Sequence, residues 1–237
     1  MSKRRQLLKI LATAGVFGPA GISGLIREAL AAGNKPVAPG IHKVTGEVKV
    51  NGRSALVGMA VGPGDTVSTG AGGEVIYVIG QDAFLQRSDS IVSFGSDAAI
   101  NLMRVVTGRI LSVFGKGQRS IQVSTATIGI RGTGCYIEDE PAQKVGADGT
   151  AKTGTRPHSR TYFCLCYGSV ELVPSAAPQE RETFSTSYHD HPIYIHDDMK
   201  MPTMMVPAEV INHTDAELTL LENLTGRYPP FAGRSSY

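Results

Sequence analysis

The sequence predicts an all-β protein, and three observations carry that prediction. The 237 residues include 28 glycines and 13 prolines but no tryptophan, a composition that favours many tight turns over long helices. Short apolar stretches alternating at period two recur from about Val44 to Val173, as in Ile110, Ser112, Phe114 and in Ile121, Val123. That is the spacing of half-buried strands. The stretches follow one another too closely for helices to cross between them, which excludes a parallel α/β sheet.

The elements follow in order. Residues 1–31 begin basic, continue apolar and end in small residues at Ala29-Leu30-Ala31, the layout of an export signal. Arg4-Arg5 followed by Gln6-Leu7-Leu8-Lys9 resembles a twin-arginine signal. Removing residues 1–31 takes away five basic side chains and one acidic one, so the formal charge falls from +2 to −2. The basicity therefore belongs to the signal, and nucleic acid is not an expected partner. The expected location is the periplasm, with membrane contact only if the signal stays uncleaved.

"GEVKVNG" ends in Asn51-Gly52, a strong hairpin signal because a type I′ turn needs positive φ at both central residues. "VGPGDTV" places Pro63 and Gly64 in a turn. "GGEVIYVIG", "DAFLQR", "SIVSF", "MRVVTGRILSVF", "RSIQVST" and "ATIGIRGTGCYIE" read as successive strands. The stretch between Asp139 and Arg160, polar and rich in Gly, Ala and Thr, reads as a long hairpin loop or a disordered excursion, and as a candidate contact surface. "RTYFCLCYGSVELVP" reads as a strand, a glycine turn and a second strand, and "ERETFSTSY" as one more. In the tail, Thr214 with Glu217 three residues on forms a capping box. Leu218, Leu221 and Leu224 share a face and Gly226 is a stop signal, which predicts one helix over about 214–225, packed across an edge or end of the β domain.

The run from "TGEVKVNG" through "GDTVSTGAGGE" and the mid-domain "GRI" to Thr125–Ile130 and Arg131-Gly132-Thr133-Gly134 resembles the FecR domain of periplasmic signalling proteins. The resemblance covers residues 42–173 and leaves 174–237 as a C-terminal extension. It implies a β-solenoid-like or twisted multi-strand domain, acting without catalysis as a binding or signalling module on another periplasmic or envelope protein. Regulators of the iron-dicitrate type place a cytoplasmic sigma-binding segment ahead of this domain. An export signal at that position makes sigma-factor control unexpected here. Gly132 and Gly134 around Thr133 permit a sharp backbone path, so the signature reads first as architecture. Arg131 is its one member suited to hold a carboxylate or carbonyl.

Cys164 and Cys166 lie two apart in a predicted strand and leave the same face, with Phe163, Leu165 and Tyr167 on the other. His189 and His191 are likewise two apart. Thiolates and imidazoles suit Zn²⁺ or the softer Cu(I), which makes Cys164, Cys166, His189 and His191 a candidate metal set. Cys-x-Cys is not the Cys-x2-Cys spacing of common zinc modules. Two other readings stand beside it: a disulfide from Cys135 to Cys164 or Cys166 after export, and plain apolar packing, the ordinary role of a free cysteine. No nucleophile elbow, phosphate loop or dinucleotide fingerprint occurs, so no enzyme activity is expected.

Overall fold

The computed structural model describes residues 35–96, 102–143 and 156–232. Its strands are β1 (Gly40–Thr45), β2 (Val48–Val50), β3 (Arg53–Ser54), β4 (Thr66–Thr69), β5 (Glu74–Ile79), β6 (Asp82–Gln86) and β7 (Ile91–Phe94). They continue with β8 (Leu102–Val113), β9 (Gln118–Gln122), β10 (Ala126–Glu140), β11 (Arg160–Pro174), β12 (Glu182–Thr186), β13 (Ile193–His196) and β14 (Met205–Pro207). One helix, α1 (Asp215–Leu224), follows. The expected signal with Arg4 and Arg5 lies outside the described residues.

The class is all-β, as the alternation predicts. The strands form one open sheet that folds back on itself, and among the described residues every pairing except β8 with β9 is antiparallel. Hairpins join β2 to β3, β5 to β6, β7 to β8 and β10 to β11, while pairs such as β1 with β5 and β4 with β7 bring together strands that are not consecutive. Asn51 and Gly52 take φ of 51° and 78° at the β2–β3 turn, the left-handed pair a two-residue turn requires.

Alternation along the central strands feeds two cores. Val75, Tyr77, Phe84, Ile110 and Phe163 point into the inner core, where Tyr77, Phe84, Phe94 and Phe114 meet in stacked and edge contacts. Ile76, Val78, Leu85, Leu111 and Tyr136 point the other way, into an outer core shared with Leu218, Leu220, Leu221 and Leu224 of α1. The helix thus lies across a face of the sheet rather than its edge or end. Strands buried on both faces have no polar side to show solvent, and a covering layer is the only way to bury the second one.

Thr214 caps α1: its hydroxyl accepts from the Glu217 amide, and the Glu217 carboxylate accepts from the Thr214 amide at 3.0 Å. Arg87 reaches across from the sheet to the same carboxylate at 3.0 Å. Thr214→Ala should cost about 1 kcal/mol of unfolding free energy, measured by urea denaturation, because one helix amide loses its acceptor.

The predicted break at Gly168 is instead a position inside the continuous 15-residue strand β11. Gly168 has φ of 104°, and the register with β10 slips so that Gly134 faces Tyr167 while Cys135 faces Leu165. One extra residue on β11 makes a bulge, which bends the strand and re-aims side chains. Tyr167 therefore joins Cys164 and Cys166 in the outer core instead of following Leu165 into the inner one.

Candidate metal centre

The outer edge of β11 pairs with β13 over residues 160–163 and with β12 over 168–172. The stretch between holds Cys164, Cys166 and the bulge, and residues 187–192 pass beside it. There the His189 amide donates to the Cys166 carbonyl at 3.0 Å. His189 has φ of 46°, and the turn before it is held by the Thr186 hydroxyl, which accepts from the Tyr188 amide. The turn carries the His189 ring inward against the thiols.

A second imidazole arrives from 24 residues further on. Ile211 donates its amide to the Tyr162 hydroxyl at 3.2 Å, Arg87 holds the Asn212 carbonyl at 2.9 Å, and Asn212 takes φ of 56°. These contacts turn the chain immediately before the helix cap, so that the His213 ring stacks on Tyr136 with centroids 4.8 Å apart.

The ligand-capable atoms of Cys164, Cys166, His189 and His213 all lie within 4.8 Å of one another, and all four residues are buried. His189 Nδ1 is 3.4 Å from Cys164 Sγ and 3.2 Å from His213 Nε2. A tetrahedral zinc with Zn–N of 2.0–2.1 Å and Zn–S of 2.3 Å separates two nitrogens by about 3.3 Å and a nitrogen from a sulfur by about 3.6 Å. These two spacings fall within ~0.2 Å of those edges, and the whole set lies within 4.8 Å.

The outward ring nitrogens show the second half of the arrangement. His189 Nε2 donates to Asp215 Oδ1 at 3.2 Å, and Tyr188 donates to the other oxygen of that carboxylate at 2.8 Å. His213 Nδ1 donates to the Ile211 carbonyl at 2.6 Å. With both outward nitrogens acting as donors to acceptor-only groups, the neutral rings aim two lone pairs at each other across 3.2 Å. Only a cation, a proton or a metal, reconciles that contact, and a carboxylate or carbonyl behind each imidazole is the usual support of a metal ligand.

The electrostatics favour a thiolate at Cys164 and hold a proton on its neighbours. The Cys164 thiol is driven well below its ordinary value, first by the Cys166 hydrogen bond and then by His189 and His213, against the pull of burial. Burial opposes charge on His189 too, yet its bonds to Asp215 and Cys164 prevail and raise it to about 9. Cys166 is pushed up, chiefly by burial and then by its neighbour Cys164. Replacing Asp215 by asparagine should lower metal affinity roughly 10–100-fold without emptying the ligand set, as read by competition with a chromophoric chelator.

Three of the four expected ligands are therefore together and the fourth is not. His191 is exposed beside Phe184, ring centroids 6.0 Å apart, because residues 187–192 form a turn and period-two spacing does not hold there. His213 takes its place. Its sequence signal was positional: it immediately precedes a capping box, the point where a chain is steered onto whatever its helix covers. Cys135 faces the inner core, across the sheet from Cys164 and Cys166, and all three thiols are free. A disulfide from Cys135 would have to pass through the sheet.

The glycine signature lies next door. Arg131 is exposed, and Gly132 is exposed with φ of 56°. Thr133 is buried, and its methyl carbon would lie 2.4 Å from a Cβ on Gly168. A Cβ on Gly134 would lie 2.4 Å from the Tyr167 ring. Gly132, Thr133 and Gly134 thus shape the bulge that presents Cys166.

No protein-family model matches the chain, and no curated protein matches it. Two crystal structures of a candidate anti-sigma factor from Parabacteroides distasonis, at 1.65 and 2.50 Å resolution, are similar to it with TM-scores of 0.44 and 0.43 and identities of 9% and 8%. The similarity covers 61% of this chain and 59% of each of those chains, so this chain spans about three-fifths of their length.

Proposed function

We propose that this protein is an exported, non-enzymatic β-domain module that carries one zinc ion in a closed Cys2His2 centre formed by Cys164, Cys166, His189 and His213. The observation that carries the metal reading is the convergence of two thiols and two imidazoles, all four buried with their ligand atoms within 4.8 Å of one another, each ring held from behind by an acceptor. Four buried protein ligands leave no position for substrate or water, which is the pattern of a structural zinc site rather than a catalytic one. Cu(I) accepts the same donors, but two imidazoles with tetrahedral spacing favour zinc.

Cys164, His189 and Asp215 are also connected in the order of a nucleophile, a base and its orienting acid, at 3.4 and 3.2 Å. Cys164 has 0% exposure, and a nucleophile that no substrate reaches supports packing or ligation, not catalysis.

The binding and signalling part of the proposal is supported by the FecR-like segments, which supply β1 to β11, while His189 and His213 come from the extension beyond them. The module's partner is proposed to be another periplasmic or envelope protein. Protein purified without an affinity tag should carry one zinc per chain by elemental analysis. Absence of zinc and copper at any stoichiometry, after exposure to both under reducing conditions, would end the metal reading.

A further inference from the structure

We propose that the zinc centre is a latch: its occupancy decides whether residues 209–232 stay docked on the outer face of the sheet. This rests on the zinc reading above and adds to it a movable element under metal control.

Ownership of the ligands is the first support. Cys164 and Cys166 belong to β11, within the sheet, whereas His213 belongs to the segment that covers it and His189 to a turn between the two. A single ion bonded to all four joins sheet and cover directly. The position of the joint is the second. His213 immediately precedes the Thr214 cap, and Asp215, the first residue of α1, holds the outward nitrogen of His189. The centre thus fixes the N-terminal end of the helix in both position and direction.

The division of the cores is the third. No residue of 209–232 belongs to the inner core, whose buried members end at Ile195. The helix closes only the outer core, against Ile76, Val78, Leu85, Leu111 and Val113. A helix of 10 residues has little stability of its own in water, so it persists through its docking. Its far end is held separately: Glu222 is buried with the Tyr167 hydroxyl and Arg227, and the Leu224 carbonyl accepts from Val37 at 2.9 Å. Once the ion is gone, the near end keeps the Arg87 contacts to Asn212 and Glu217 but loses the bonds that join His213 directly to β11. The inner core is complete without the cover, so the segment can open as a unit while the sheet stays folded.

Hydrogen exchange read by mass spectrometry on the full chain tests this, comparing protein holding one Zn²⁺ with the same protein after chelation. Amides of residues 215–224 should exchange at least tenfold faster after chelation, those of β4 and β7 should not change, and added Zn²⁺ should restore the slow rates. His213→Gln should exchange like the chelated protein whether or not Zn²⁺ is added. If the protein binds one zinc yet the helix exchanges equally with and without it, the latch is wrong and the zinc reading survives. Acceleration throughout the sheet also overturns the latch, since the ion then holds the whole domain. If no zinc is bound at the outset, both ideas fall together.

Discussion

Serine at position 164 should lower zinc affinity by roughly 10³-fold or more, while serine at position 135 should leave it unchanged. The change at 164 preserves shape and replaces a ligand thiolate by a hydroxyl that stays protonated and does not ligate zinc comparably. Structural zinc sites bind with about 10–16 kcal/mol of apparent free energy at neutral pH, so losing one of four ligands is expected to remove several kcal/mol. Cys135 is the matched control: it is equally buried, but it faces the inner core. Cobalt substitution makes the difference visible, since the thiolate-to-cobalt absorption should weaken in Cys164→Ser and be unaltered in Cys135→Ser. Equal zinc affinity in both variants would show that the thiols do not ligate.

The second large effect is expected at Gly134. A methyl group there would lie 2.4 and 2.7 Å from two ring carbons of Tyr167 and 2.9 Å from its hydroxyl oxygen. The ring has no free direction to yield in, because its hydroxyl is bonded to buried Glu222 and its face meets Phe231 at 5.8 Å. Overpacking against a fixed group costs about 1–3 kcal/mol, and more where backbone must shift. Gly134→Ala is therefore expected to lose about 3 kcal/mol or more by denaturant unfolding. Combined with Tyr167→Leu, the loss should be less than the sum of the two single changes, because the clash is one interaction counted twice. Arg131→Ala, on the exposed member of the same signature, should change stability by no more than about 0.5 kcal/mol. A Gly134→Ala protein as stable as the parent would remove the architectural account of the signature.

Much of this fold can be seen in the chain itself because its signals are local. Asn51-Gly52 dictates a turn by the φ it tolerates, and Thr214 with Glu217 dictates a helix start by satisfying two amides. Period-two alternation marks the strands, but it marks one face well and the other poorly. Ile76, Val78, Leu85 and Leu111 fall at positions that a half-exposed sheet would leave polar, and they are the written trace of the helix that covers them. Three of the four members of the metal set were legible, and His213 was not. Cys164 and Cys166 follow from strand geometry alone, whereas His189 depends on a left-handed turn and His213 on the docking of an element about 50 residues away. No periodicity connects His213 to β11. The bulge at Cys166 and Tyr167 was hidden as well, since register belongs to a pair of strands and not to either one.

The placement of Cys135 on the far side of the sheet gives the protein a built-in clock for its own opening. A thiol reagent added to metal-stripped protein meets two populations of sulfur separated by a single layer of backbone. Cys164 and Cys166 become reactive when the cover lifts, whereas Cys135 reacts only when the inner core itself parts. The order and rates of modification therefore time the two layers independently within one unlabelled chain.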